Sequence, residues 1–432
     1  MKKRLIYDAT QLAHWAGGLT GIPRVMHELG TRFANDQELD VIFVSWVKSK
    51  QSYYEIDFEQ TMKFRGKKIV YISRKKSQSP QKHKYVANIS MKYKKVARKL
   101  LNRATRLFPG LVKDIENKAS TAIFNNYKIA ELTNDDIIVI TWGEWWDQTF
   151  IDYLKRNQYH GTKIVQLIHD IGPLTQPQYS SNSTESLENY CRSILPICEV
   201  IITISKNTHK DIVSWRRQNK IAERPIKIFR EGDDFNFTDA KIVRDQKFVN
   251  SRLKGKDYIL TVGTVEAKKN HQLLYYVYKL AAYRGLDLPK VVIVGRRGWK
   301  TDDMYDIATT DPETKDKMVF LHNVNDGELS WLYDNCIFTI FMSFYEGWGM
   351  PIAESVARGV PCICSNTSSM VEIAEGHVGH FNPSSTDECL KEMLKLLEPT
   401  NLDAAIKKAK SYKQLSWDES YEQFKKIVQE KQ

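Results

Sequence analysis

Residues Ser343–Ser365 read SFYEGWGMPIAESVARGVPCICS, and their order decides the fold. The run Ile337–Met342 just before them has the β-branched and aromatic residues of a buried strand. A turn with Gly347 and Gly349 follows, and Pro351 suits the first turn of a helix, where its missing N–H costs nothing. Gly359 and Pro361 end that helix ahead of a second apolar run, Pro361–Cys364. Strand, glycine turn, helix and strand in this order form the repeating unit of a parallel α/β sheet. Turn glycines let the backbone approach a ligand closely, and helix N-terminal amides bind anions or hydroxyl groups. Glu346 stands in the turn, and Glu354, eight residues on, is expected in the helix's first turn. A glutamate there could serve only the helix dipole. Two carboxylates bracketing a glycine turn at a strand's C-terminal end look more like hydroxyl acceptors in a ligand crevice.

The same rhythm runs outward from this segment. Upstream strands are predicted at Leu5–Tyr7, Val41–Val47, Ile137–Trp142, Ile164–Ile168 and Val200–Ile204. A second set follows at Tyr258–Val262, Val291–Val294, Met318–Leu321, Ile337–Met342 and Pro361–Cys364. Stretches of helical periodicity separate them, the pattern of parallel sheets covered on both faces. The polar, aperiodic stretch 241–256 between the sets reads as a linker. The expected architecture is α/β, with two Rossmann-like domains facing across a cleft. Their bounds are 1–240 and 257–412, with a final helix in 413–432 that crosses back to the first domain.

A length of 432 residues holds two or three domains at about 150 residues each. With 42% hydrophobic and 27% charged residues, the chain is neither disordered nor fibrous. Its 64 Lys+Arg against 52 Asp+Glu leave +12, which favours an anionic partner: nucleic acid, a phosphorylated substrate or an acidic membrane surface. Six cysteines without a C-x-x-C pair make neither a disulfide framework nor a zinc cluster, and point to a reducing compartment. No apolar run reaches the roughly 18 residues that span a bilayer. The start, MKKRLIYDAT, loses its apolar character at Asp8, too soon for a signal-peptide core. A soluble, cytoplasmic protein is expected.

One region breaks the rhythm. From Lys63 to Lys118 there are eighteen basic residues against Asp114 and Glu116, a net of +16. Within it Tyr93, Val96, Ala97, Leu100, Leu101, Ala104, Leu107 and Phe108 recur at helical spacing. A solvated surface helix is the ordinary reading of such a pattern. The shortage of acidic partners favours equally a basic amphipathic arm, 63–118, on an anionic membrane surface.

Three further segments carry candidate chemistry. Thr261–His271, TVGTVEAKKNH, places Lys268 and Lys269 at a strand-to-helix turn, where two cations can neutralise a diphosphate. Taken alone, a Lys-Lys pair is more often surface decoration. Gly17–Val25, GGLTGIPRV, is a glycine-rich loop after the first strand, containing Gly21 and Arg24. His169 in LIHDIGP follows a strand and so faces the crevice at the C-terminal edge of the sheet. No histidine or cysteine spacing suggests a metal site.

These segments, in order, resemble the retaining glycosyltransferases of family 4. Glu346 and Glu354 match that family's two glutamates with seven residues between them, the glycine–aromatic–glycine turn among those seven. The C-terminal half matches closely and the N-terminal half loosely, and the signatures look like those of bacterial mannosyl- and rhamnosyltransferases of polysaccharide assembly. The resemblance implies a GT-B fold and transfer of a hexose from a nucleotide sugar, GDP-mannose first, to a glycan or lipid-linked glycan. It also implies a metal-independent mechanism, with no cofactor besides the donor and no nucleic-acid partner. It makes Lys269 the phosphate lysine, with Lys268 in place of a common arginine, and sets Gly21 and Arg24 near the donor phosphate and acceptor. His169 would lie close to the donor sugar. Glu346 would hold sugar hydroxyls with the amides of Gly347, Trp348, Gly349 and Met350, and Glu354 the ribose hydroxyls. The catalytic set is then His169, Glu346 and Lys269. Two departures stand out: Thr264 where some relatives have arginine, and Pro23 where many have glycine.

A phosphorylase of this fold would need a lysine carrying pyridoxal phosphate, which no feature demands, and an epimerase would have no reason for so basic an arm. A degenerate transferase acting as a scaffold or nucleic-acid binder draws support from the +16 region. Glu346, Glu354 and Lys269, all present, weigh against it.

Overall fold

A computed structural model describes residues 4–73, 124, 126–180, 184–234, 253 and 257–430. Its first sheet contains β1 (Arg4–Asp8), β2 (Asp40–Val47), β3 (Ser52–Glu55), β4 (Ile137–Ile140), β5 (Lys163–Ile168), β6 (Val200–Thr203) and β7 (Ile226–Ile228). The second contains β8 (Tyr258–Val262), β9 (Lys290–Val294), β10 (Met318–Leu321), β11 (Thr339–Phe341), β12 (Cys362–Ser365) and β13 (Gly379–Phe381). The first runs β3-β2-β1-β4-β5-β6-β7 and the second β10-β9-β8-β11-β12-β13. Both follow the doubly wound order 3-2-1-4-5-6, the first extended by β7. Every pairing between these strands is parallel except β2 with β3.

Side chains alternate across each sheet and both faces are apolar. On β1, Leu5 and Tyr7 join the core on one face and Ile6 that on the other. On β8 and β9, Ile259, Val291 and Ile293 face one way and Leu260, Val292 and Val294 the other. One core continues from the first sheet into the second domain through Phe341, Trp348 and Met350.

The chain's last helix, Trp417–Gln429, starts on a capping box between Ser416 and Glu419. It lies against the helix Ile22–Asn35 of the first domain, with Phe33 and Tyr421 ring centroids 5.0 Å apart. There Lys425 Nζ and the Tyr421 hydroxyl each reach Asp36 at 2.7 Å. Arg230 binds Asp233 and the Tyr412 hydroxyl, so it secures this crossing.

All ten predicted strands are present. Three more were not predicted: β3, β7 and β13. Of the basic arm 63–118, residues 74–118 lie outside the described residues, as does its apolar stripe Tyr93–Phe108. Of the linker 241–256, only Leu253 is described. The six cysteines are free. Among the described residues no helix is long and apolar enough to cross a membrane.

Candidate active site

The C-terminal ends of the two sheets meet, and the predicted site residues lie there. After β8 the chain makes a short 3₁₀ turn, Ala267–Lys269, and Asn270 in the left-handed region (φ 54°) leads into the helix His271–Tyr283. Asparagine tolerates that conformation, and its Nδ2 donates to the Pro383 carbonyl at 2.9 Å. The turn aims Lys269 at the second motif, where its Nζ meets Glu346 Oε1 at 2.6 Å. Ser343 Oγ donates to the same oxygen at 2.6 Å, and the Phe344 amide donates to the Lys268 carbonyl at 2.9 Å. The two motifs are thus one structure.

Burial opposes ionisation of Glu346, yet Lys269, Lys268 and these hydrogen bonds hold its carboxyl below the ordinary range. Burial likewise opposes the charge on Lys268, but Asp170, Glu346 and Glu266 outweigh it and raise the ammonium pKa. Two lysines among carboxylates make a preformed cluster.

The glycine turn is tight for a steric reason. A Cβ on Gly347 would stand 2.3 Å from the His169 carbonyl oxygen, so only glycine lets the two domains approach here. Gly349, at φ 119°, precedes the helix Met350–Ala357. Ser368 and Ser369 hydroxyls donate to the Glu346 carbonyl at 2.6 and 2.9 Å, and Ser369 also reaches the Trp348 carbonyl at 2.7 Å. Among the described residues, no hydrogen bond takes the amides of Gly347, Trp348, Gly349 or Met350. The side chains of Trp348 and Met350 are buried in the core.

Glu354 corrects the sequence expectation. The helix begins at Met350, which puts Glu354 in its second turn, away from the N-terminal dipole. Its carboxylate instead accepts from Arg24 Nη1 at 2.9 Å and from the Tyr333 hydroxyl at 2.8 Å. Arg24 comes from the other domain, on the helix that Gly21 (φ 60°) opens. The glycine-rich loop and the second glutamate therefore meet across the cleft.

His169 follows β5 and is buried. Its Nε2 lies 2.9 Å from the Thr141 carbonyl, which requires the N–H on that nitrogen. Its Nδ1 is 3.7 Å from Glu231 Oε1. The ring so faces its own domain, while the backbone of His169 packs on the Gly347 turn. Beside it lies a pocket of about 150 Å³ that includes Ile22, Trp142, Trp145 and Pro173. At the neighbouring switch point between β1 and β4, Gln11 Nε2 donates to Glu144, whose carboxyl burial and then Asp8 push up to about 7.

Sequence reading missed the residues that join the domains. Tyr345 donates to Asp211 Oδ2 at 2.7 Å, and Tyr179 stacks on Phe344 at 4.8 Å. Glu372 accepts the amides of Lys206 and Asn207 at 2.8 and 2.7 Å, capping a helix N-terminus of the first domain from the second. Ser343, Ser368, Ser369 and Tyr333 were also missed. Their one signal in the sequence is position, in or next to segments that follow predicted strands.

Two family models match the chain in succession: "Glucosyltransferase 3-like, N-terminal domain" over residues 48–226 and "Glycosyl transferases group 1" over 243–412. O-antigen chain mannosyltransferase B of Escherichia coli is 26% identical over 332 residues, covering 71% of this chain and 84% of its own. The serotype-specific mannosyltransferase WbdA of the same species is 24% identical over 267 residues, covering 59% of this chain but only 32% of its own length. Among solved structures, sucrose-phosphate synthase of Thermosynechococcus elongatus superposes with a TM-score of 0.59 at 14% identity, over 99% of this chain and 98% of its own. Two doubly wound sheets meeting at a charged cleft give the chain a GT-B fold, and the matches along its length are to glycosyltransferases.

Proposed function

We propose that the chain is a retaining, metal-independent family 4 transferase that moves mannose from GDP-mannose to a glycan or lipid-linked glycan in bacterial surface polysaccharide synthesis. The observation that carries the reading is the Lys268–Lys269 turn locked to Glu346 beside amides that no other described group takes. Cleaving a glycosyl–diphosphate bond builds negative charge on the leaving phosphate, and preformed cations at that spot stabilise it as it develops. Lys269 exchanges Glu346 for the diphosphate, with Lys268 beside it, and Glu346 then accepts sugar hydroxyls together with the amides of Gly347–Met350. At the other end Glu354 keeps Tyr333 and takes the ribose hydroxyls in place of Arg24, which turns toward phosphate and acceptor. In a front-face displacement the leaving phosphate oxygen takes the acceptor's proton, so no protein nucleophile is needed. His169 holds the donor-sugar end of the cleft against Gly347, and the Trp142–Trp145 pocket beside it offers apolar faces for an acceptor sugar. The mannosyltransferase names of the relatives support the donor and the pathway class. A cytoplasmic position on the inner membrane face, with the arm 63–118 on anionic lipid, fits a lipid-linked acceptor.

The test is product stereochemistry. With GDP-mannose and a short soluble glycan, an α-linked product by NMR, formed undiminished in chelator, is expected; a β-linked product or an absolute need for a divalent cation contradicts the mechanism. The +16 composition of 63–118 favours a second reading, a degenerate scaffold or nucleic-acid binder. That reading predicts that no nucleotide sugar raises the melting temperature.

A further inference from the structure

We infer that a pocket on the outer side of the first domain, centred on Arg216, is a binding site for a phosphate group. The pocket measures about 240 Å³, below the roughly 300–1,000 Å³ of sites for drug-sized ligands, and suits a phosphate with part of what it esterifies. His209, Arg216 and Arg217 of the helix Lys206–Gln218 line it, with Glu223 and Arg224 from the turn that leads to β7. Arg216 is 5% exposed, yet among the described residues it forms no ion pair. Its Nη1 donates to the Arg224 carbonyl at 3.1 Å, and its buried Nε has no partner. Burial lowers its pKa, and the charge of nearby Glu223 only partly opposes that shift.

An arginine near a helix C-terminus can serve the dipole. Exposed Arg217 already does that, and the dipole gives no reason to bury Arg216 beside it. Three guanidinium groups around one cavity, with Glu223 as the single acid on its wall, match an anion with several oxygens, and arginine's planar fork binds phosphate bidentately. The pocket is separate from the cleft. Glu372 of the second domain caps this helix at Lys206, and Arg216 lies ten residues on, about 15 Å along the axis. The phosphate belongs either to a lipid headgroup or to a soluble phosphomonoester.

Titration calorimetry and Trp215 fluorescence on the full chain distinguish these sources, with inorganic phosphate and glycerol 3-phosphate as soluble probes. Vesicles of phosphatidic acid in phosphatidylcholine, against phosphatidylcholine alone, are the lipid probe. Saturable binding is expected, weakened about tenfold or more by Arg216→Gln and by the rim pair Arg217→Gln/Arg224→Gln. Arginine-dependent binding seen with vesicles alone assigns a headgroup, and with the soluble probes a phosphomonoester. If Arg216→Gln does not fold, the rim pair decides. Binding of every probe that is absent, or unchanged in correctly folded rim variants, overturns the site.

Discussion

Lys269 and Glu346 form the pair on which the proposed chemistry turns, at 2.6 Å and largely out of water. Leaving-group charge is largest in the transition state, so Lys269→Ala is expected to lower kcat more than it weakens donor binding. Single-turnover kinetics beside donor titration checks this, and a loss confined to KM would make Lys269 a binding residue. The same pair sets a pH dependence. Glu346 has a depressed pKa in the folded chain, so its contribution is complete above the ordinary carboxylate value near 4.5 and is lost as pH falls through the folded value. Removing the cation by Lys269→Met should reduce the loss of stability on acidification below about pH 4.5, read from melts at stepped pH. Glu354→Gln is expected to weaken nucleotide binding by about 1–3 kcal/mol, the value of a charge-assisted hydrogen bond. Unchanged affinity in Glu354→Ala, with an unchanged melt, rejects the ribose assignment. These glutamates and lysines were singled out through the resemblance, since a Lys-Lys pair alone is more often surface decoration, and the structure brings Lys269 and Glu346 together. Arg24's partner was not legible in sequence, since Glu354 is 330 residues away and only the closed cleft joins them.

Elements were legible where periodicity was strong. The buried central strands announce themselves as β-branched runs, whereas β3, β7 and β13 are edge or near-edge strands of three or four residues with little pattern. The helix after the glycine turn starts at Met350, so Glu354, its fifth residue, falls just past the first turn expected for it. At the loop after β4, Glu144 makes a testable prediction of opposite sign to Glu346. Its folded pKa is raised to about 7, so between about pH 4.5 and 7 the folded chain binds more protons than the unfolded one and loses stability as pH rises. Glu144→Gln should therefore raise the melting temperature at pH 8 and change it little at pH 4. An equal effect at both pH values would contradict the assignment.

Across the whole molecule the two domains are tied by Arg24–Glu354, Tyr345–Asp211 and Glu372, and by the closing helix on Phe33. The two-sheet architecture was readable from strand spacing, but these ties pair residues remote in sequence and carry no local signal. Glu372→Ala removes a carboxylate from a helix N-terminus, and faster hydrogen exchange at Lys206 and Asn207 is the expected result; unchanged exchange would mean the cap is supplied otherwise. Changing Lys94, Lys95, Arg98 and Lys99 to Gln is expected to abolish salt-sensitive retention on anionic liposomes while activity on a short soluble acceptor survives, and unchanged retention in this variant would contradict a membrane role for the arm. The most direct measurement is hydrolysis of a panel of GDP-, UDP- and dTDP-sugars by the purified chain and by Lys269→Ala. Release of GDP from GDP-mannose, sharply reduced in the variant, is the predicted result. No turnover of any donor, or turnover indifferent to Lys269, would contradict the placement of donor chemistry at the Lys269–Glu346 cleft.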